Sequence, residues 1–243
     1  MRKNPVVILD FGAQYSQLIA RSVREQHVYC EILPYSATAA RLREIGPRAI
    51  ILSGGPASIY DEKAPRCEKE IFSLGIPVLG ICYGLQMIGH CLGAEVRRSE
   101  KREYGKAMLH IDDFADLFAG FEDQPATQVW MSHGDSLTAL PGGYRALAST
   151  ENSPFAAIGS REKKIYGVQF HPEVVHTLRG RQVIANFLFL VAGCKPDWTA
   201  GSFIDEHTGK IRRQVGDNRV ICGLSGGVDS SVAAVLVHRA VGD

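Results

Sequence analysis

Cys82 stands between Gly80 and Gly84, directly after the apolar run IPVLG. A cysteine thiolate is a strong nucleophile, and α/β sheets place their chemistry at the carboxyl ends of strands. The spacing Gly-x-Cys-x-Gly is that of a nucleophile elbow with sulfur in place of the serine oxygen. Glycine on both sides permits a tight turn in which larger neighbours would collide. The next segment, YGLQMIGHCLG, reads as a helix whose first N–H groups and positive dipole end face the sulfur, favouring thiolate over thiol. The Tyr83 N–H is thereby placed to donate to an oxyanion. A lone buried cysteine would say little, because free cysteine is among the most buried residue types.

A cysteine nucleophile needs a base, and YGVQFHPE (166–173) offers one. Pro172 holds His171 in extended backbone, where alternate residues share a face. His171 and Glu173 therefore stand side by side, the carboxylate orienting the imidazole. LSGGPAS (52–58) also follows an apolar run. Its paired glycines expose main-chain N–H groups, and Gly55 can give a second oxyanion donor.

These segments need a scaffold. The chain has 243 residues, 45% hydrophobic and 22% charged, enough for one large domain or a medium one plus part of another. A net charge of +1 gives no bulk electrostatic reason to expect nucleic acid. The six cysteines show no Cys-x-x-Cys spacing, and MRKNPVVILDFG has no signal-peptide pattern, so reduced thiols in a cytoplasmic protein are expected. No apolar run approaches the roughly 20 residues of a membrane span. His90 and Cys91 are adjacent on a helix and point apart, so no metal site is expected.

Up to residue 81 strand-like and helix-like segments alternate. Strands are expected at 6–10, 28–33, 48–53 and 76–81, and helices at 14–26, 37–45 and 67–74. Such alternation implies βαβ units, hence a doubly wound, mostly parallel open sheet. After Gly93, the runs KAMLHI, TQVWMS, YRALAST, FAAIGS and KIYGVQF are short and closely spaced, which predicts an antiparallel extension at one edge. An amphipathic helix over 178–191 closes the unit, and AGCKPDWTAGS breaks the pattern. The expected domains are 1–194 and 195–243, the second holding a helix at 203–215, the strand RVICGL, a glycine loop and an apolar helix.

GGP, GICYGLQ and GVQFHPE, in this order, resemble the motifs of the class I (triad-type) glutamine amidotransferase family over residues ~5–192. The resemblance implies hydrolysis of the glutamine side-chain amide through a cysteine thioester, releasing ammonia for a second site. It makes Cys82 the nucleophile, His171 the general base and acid, and Glu173 its orienting acid, with Gly55 and Tyr83 as oxyanion donors. Gln86 matches a position that holds the substrate. VWMSHGDSL (129–137) resembles the other glutamine-holding segment, which adds Ser132, His133, Gly134 and Asp135 as a loop.

LSGGVDSSV, in the second domain, is not a Walker A loop, since no Gly-Lys-Ser/Thr occurs. It resembles the PP-loop of N-type ATP pyrophosphatases, which implies ATP, with Mg²⁺, at Ser225, Gly226, Gly227, Val228, Asp229, Ser230 and Ser231. Together the motifs imply a synthetase in which glutamine-derived ammonia aminates an ATP-activated substrate, the full-length family member being a homodimer. The chain stops just past the PP-loop helix, so the expectation is a truncated ATP domain and, alone, at most a glutaminase. Two rivals remain at this point: an amidotransferase module of another synthetase, and a γ-glutamyl-hydrolase-like cysteine hydrolase.

Overall fold

The computed structural model describes residues 4–242; the side chains of 99–102 lie outside the description. The chain divides into two compact units, Met1–Pro196 and Asp197–Asp243. The first is built on a nine-stranded sheet. Its strands are β1 (Val6–Asp10), β2 (Cys30–Pro34), β3 (Ala49–Leu52), β4 (Val78–Ile81), β5 (Val96–Ile111), β6 (Ala126–Leu137), β7 (Arg145–Ser149), β8 (Ala157–Ser160) and β9 (Ile165–Val168). Their order across the sheet is β2-β1-β3-β4-β9-β8-β7-β5-β6. The pairs from β2 to β9 are parallel, and those from β9 to β6 are antiparallel.

Alternation within β1 explains the layering. Val6 and Ile8 enter one apolar core, Val7 and Leu9 the other, and all four are fully buried. Helices α1 (Ser16–Glu25) and α4 (Gly180–Asn186) cover the first face through Ile19, Val23, Val183 and Ile184. Helices α2 (Ala39–Ile45) and α3 (Tyr83–Leu92) cover the second through Leu42, Leu85 and Ile88. Each such buried aliphatic side chain contributes about 1.5–3 kcal/mol.

The structure corrects the sequence reading in several places. KIYGVQF does not belong only to the antiparallel edge. Its strand β9 pairs parallel with β4, Gly80 opposite Gly167 and Ile81 opposite Val168, and antiparallel with β8. The segment 67–74 forms only a 3₁₀ turn, Lys69–Ser73. A helix that short is marginal by itself, and Glu68 is engaged elsewhere, accepting the Ala39 N–H at the start of α2 (2.8 Å). Past Asn186, α4 continues as a wider π turn over Phe187–Val191. Ser132–Asp135 are not a loop but part of β6, paired with β5 across a register shift between Arg98 and Glu103.

The second unit holds α5 (Ala200–Val215) and α6 (Val228–Val241), packed on each other. Thr199 and Ser202 form a reciprocal capping box at the start of α5. RVICGL is not a strand: 219–225 has no regular structure, and Ile221 is 98% exposed. A strand exists only where a neighbour takes its main-chain hydrogen bonds, and this unit supplies none among the described residues.

Candidate active site

Cys82 follows β4 and precedes α3 with φ 51° and ψ −104°, a conformation that only a tightly determined turn imposes on a non-glycine residue. The turn depends on both glycines. A Cβ at Gly80 would sit 2.5 Å from the Gly84 backbone, and one at Gly84 would sit 2.5 Å from the Leu52 carbonyl. The Cys82 N–H donates to the Val168 carbonyl at 2.7 Å, tying the elbow to β9. Tyr83 opens α3, so its N–H has no carbonyl within the helix. Gly55 packs against Phe11 and the Tyr83 ring, where a Cβ would meet the Phe11 carbonyl at 2.8 Å.

Strand β9 ends at Val168, and the chain bends through Gln169 and Phe170 before His171. The His171 main chain is clamped: its N–H donates to the Trp130 carbonyl (3.0 Å), and its carbonyl accepts from Thr177 Oγ1 (2.6 Å). His171 Nδ1 meets Glu173 Oε1 at 2.8 Å, with the Glu173 side chain fully buried. The Cys82 sulfur lies close enough to the ring to act on its protonation. Burial disfavours the imidazolium, but the Cys82 and Glu173 partners outweigh it and push His171 up to about 10. Gly54 leaves room for the ring; a Cβ there would come within 2.9 Å of its Cε1.

A cleft of about 500 Å³ opens over the sulfur. Gly55, Cys82, Tyr83, Gln86 and all of Ser132–Asp135 line it, so eight residues singled out in the sequence converge there. Ser58, Asp61, Arg98 and Tyr104 also line it, and none of these had a signal in the sequence beyond the neighbouring motifs. Gln86 Nε2 donates to the Asp135 carbonyl at 2.7 Å, and Ser58 Oγ donates to Asp135 Oδ2.

His133 has both ring nitrogens engaged within the protein: Nδ1 at 3.1 Å from the Asp135 carbonyl, Nε2 at 3.0 Å from Glu103 Oε2. Its side chain is 1% exposed, which leaves the main chain of this strand to face the cleft. Burial raises the Glu103 carboxyl, but hydrogen bonds from His133 and Thr150 more than offset this and hold it below the usual range. Glu103 and Gln169 escaped the sequence reading. Glu103 lies in a charged run, and Gln169 inside a motif whose histidine and glutamate drew attention first.

The residues Ser225–Ser231 form the glycine loop and first turn of α6 in the second unit. Gly226 has φ +82°, a left-handed turn that glycine makes without strain. Ser230 and Ser231 hydroxyls both donate to the Gly227 carbonyl at 2.9 Å. The loop is exposed with main-chain N–H groups at a helix N-terminus, a fit for phosphate oxygens. Among the described residues no group of three or more His, Cys, Asp or Glu side chains is placed to hold a metal ion. No described helix is long and apolar enough to cross a membrane.

Residues 203–243 match the NAD synthase family model. The chain is 51% identical to a protein named GMP synthase (glutamine-hydrolysing) from Trichormus variabilis, over all of this chain and 45% of that one. Proteins of the same name from Acetivibrio thermocellus (54% identical; 100% and 47% covered) and Synechocystis sp. (56%; 98% and 44%) are similar. The chain thus spans less than half the length of these curated relatives. A solved structure of a candidate GMP synthase subunit from Thermoplasma acidophilum superposes with TM-score 0.68 at 29% identity, covering 79% of this chain and 96% of that one. The fold is shared with a glutamine amidotransferase from Thermotoga maritima, TM-score 0.58 at 20% identity, with both chains fully covered. The family model for glutamine amidotransferase class-I matches residues 7–191, the span that holds the cysteine elbow, the histidine and the cleft. With the elbow, the imidazole and the matched sequence coinciding in one unit, the chain belongs to the class-I glutamine amidotransferase family.

Proposed function

We propose that the first unit hydrolyses the side-chain amide of glutamine, with Cys82 as nucleophile, His171 as general acid and base, and Glu173 as the residue that orients it. The observation that carries this reading is the strained Cys82 elbow tied to the end of β9, where His171 meets the buried Glu173 carboxylate at 2.8 Å. The Cys82 thiolate attacks the amide carbon, and the oxygen that gains charge is held by the Gly55 and Tyr83 N–H groups. Protonated His171 gives its proton to the amide nitrogen, the C–N bond breaks, ammonia leaves, and a γ-glutamyl thioester remains. Neutral His171 then takes a proton from water, hydroxide displaces the sulfur, and glutamate departs. Gln86 and the main chain of Ser132, His133, Gly134 and Asp135 hold the amino-acid end of glutamine. The Asp135 and Asp61 carboxylates and the Arg98 guanidinium give the cleft partners for its ammonium and carboxylate.

In the longer protein the ammonia aminates XMP to GMP in a cytoplasmic, homodimeric synthetase that binds neither nucleic acid nor membrane. The relatives' name and the joining of an amidotransferase to a PP-loop support this reading. The loop Ser225–Ser231 cradles ATP phosphates there, and bound ATP with Mg²⁺ supplies the activation of XMP. The amidotransferase domain is residues 1–194, and residues 195–243 are the linker and the start of the ATP domain. Ammonia release from free glutamine, against cleavage of a γ-glutamyl peptide, tests the substrate. Cys82→Ala should lower glutamine hydrolysis by about 10³-fold or more. Preference for the peptide, or activity retained in Cys82→Ala, overturns the reading.

A further inference from the structure

Gln169 is fully buried, and its carboxamide Nε2 lies 3.7 Å from the Cys82 sulfur. Its main-chain N–H donates to the Ala156 carbonyl at 2.8 Å, which fixes the residue just beyond β9. The side chain has no access to solvent, and a buried amide is costly wherever its polar atoms lack partners. The cost is visible: Gln169 Oε1 is buried without a hydrogen-bond partner among the described residues. A residue serving only to fill this space would be apolar.

We propose that Gln169 is a further catalytic group, donating its amide N–H to the Cys82 sulfur and holding the negative charge of the thiolate before attack. This inference rests on the reading of Cys82 as the nucleophile. Two kinds of partner surround the sulfur. The Ser132 carbonyl, 3.5 Å away, accepts an S–H and suits the neutral thiol. Gln169 Nε2 donates and suits the thiolate. When the S–H bond breaks, its proton passes to His171, both bonding electrons stay on sulfur, and the contact with Ser132 loses its donor. Gln169 then supplies a donor that carries no net charge and gives up no proton, so it serves equally while His171 is protonated or neutral. A hydrogen bond to an ionised acceptor is roughly twice as strong as a neutral one. This accounts for an orientation that leaves Oε1 unpartnered.

The test measures Cys82 alkylation by iodoacetamide at pH 7, located by mass spectrometry, together with kcat and KM for glutamine hydrolysis. Gln169→Leu keeps the volume without the donor, and Gln169→Glu keeps the shape with an acceptor that repels the thiolate. Both should slow alkylation and lower kcat by about five- to tenfold, the expected loss of one charge-assisted hydrogen bond, with KM unchanged and Glu the slower. A folded Gln169→Leu chain with wild-type alkylation and kcat overturns the proposal, as does a loss confined to KM. If both variants fail to fold, the ¹⁵N-labelled wild-type chain decides. The Gln169 side-chain amide resonance should shift when Cys82 is changed to Ala, and an unmoved resonance overturns the proposal. Glutamine hydrolysis that survives Cys82→Ala would instead remove the nucleophile reading itself.

Discussion

The N–H of Cys82 donates to the carbonyl of Val168 at 2.7 Å, three residues before His171. One hydrogen bond therefore couples the strained elbow to the strand end that bears His171. The pairing is possible because β9, far away in sequence, enters the sheet beside β4 in parallel register. Sheet registration therefore brings Cys82 and His171 to one end of the sheet, which suits the proposed need to hold sulfur and imidazole within reach of one carbon.

The elbow should be intolerant of a single methyl group. Gly80→Ala and Gly84→Ala each bring a Cβ to 2.5 Å from main-chain atoms. Overpacking of this kind costs roughly 1–3 kcal/mol, and the displaced turn should cost activity besides. Urea unfolding and glutamine hydrolysis of each variant check this.

His171 binds its proton more tightly in the fold than in the unfolded chain, about 10 against an ordinary 6.5. The stabilisation this gives is complete below 6.5 and is lost as pH rises toward 10. Denaturation midpoints between pH 7 and 10 should therefore fall more steeply for the wild type than for His171→Gln. In Cys82→Ala the ring loses a partner while staying buried, so its titration, followed by NMR, should move to lower pH.

The pair Glu103–His133 braces the Ser132–Asp135 segment of β6. Glu103→Leu leaves His133 Nε2 buried without its partner, and an unsatisfied buried polar group costs about 1–3 kcal/mol. Because Asp135 shares the His133 contact, the defect in turnover should appear as a raised KM with kcat nearly retained. Glu103→Gln, which keeps an oxygen acceptor, should recover most of it. Steady-state kinetics of the two variants separate these outcomes.

Every cleft residue named above precedes Pro196. A chain ending there should hydrolyse glutamine with the KM of the parent and unfold in a single transition. Calorimetry with a glutaminase assay checks both.

The sequence made the chemistry more legible than its support. Cys82, His171 and Glu173 stood out because glycine spacing and alternation in extended chain are local properties. The parallel entry of β9 did not, since pairing partners are set by long-range packing that short apolar runs do not encode. Ser132–Asp135 look like a loop because Ser, Gly and Asp favour turns, yet pairing with β5 overrides that preference. Glu103 and Gln169 are ordinary surface types in composition, and only their burial against His133 and Cys82 gives them meaning. RVICGL carries strong strand propensity and forms no strand, because propensity without a partner leaves the backbone unpaired.

The most direct test of the whole account is covalent capture of the nucleophile. Incubation with a glutamine-mimicking diazoketone, followed by peptide mass spectrometry, should place a single adduct on Cys82, and excess glutamine should prevent it. An adduct on any of the other five cysteines, or none on Cys82 while glutamine is still turned over, would contradict it.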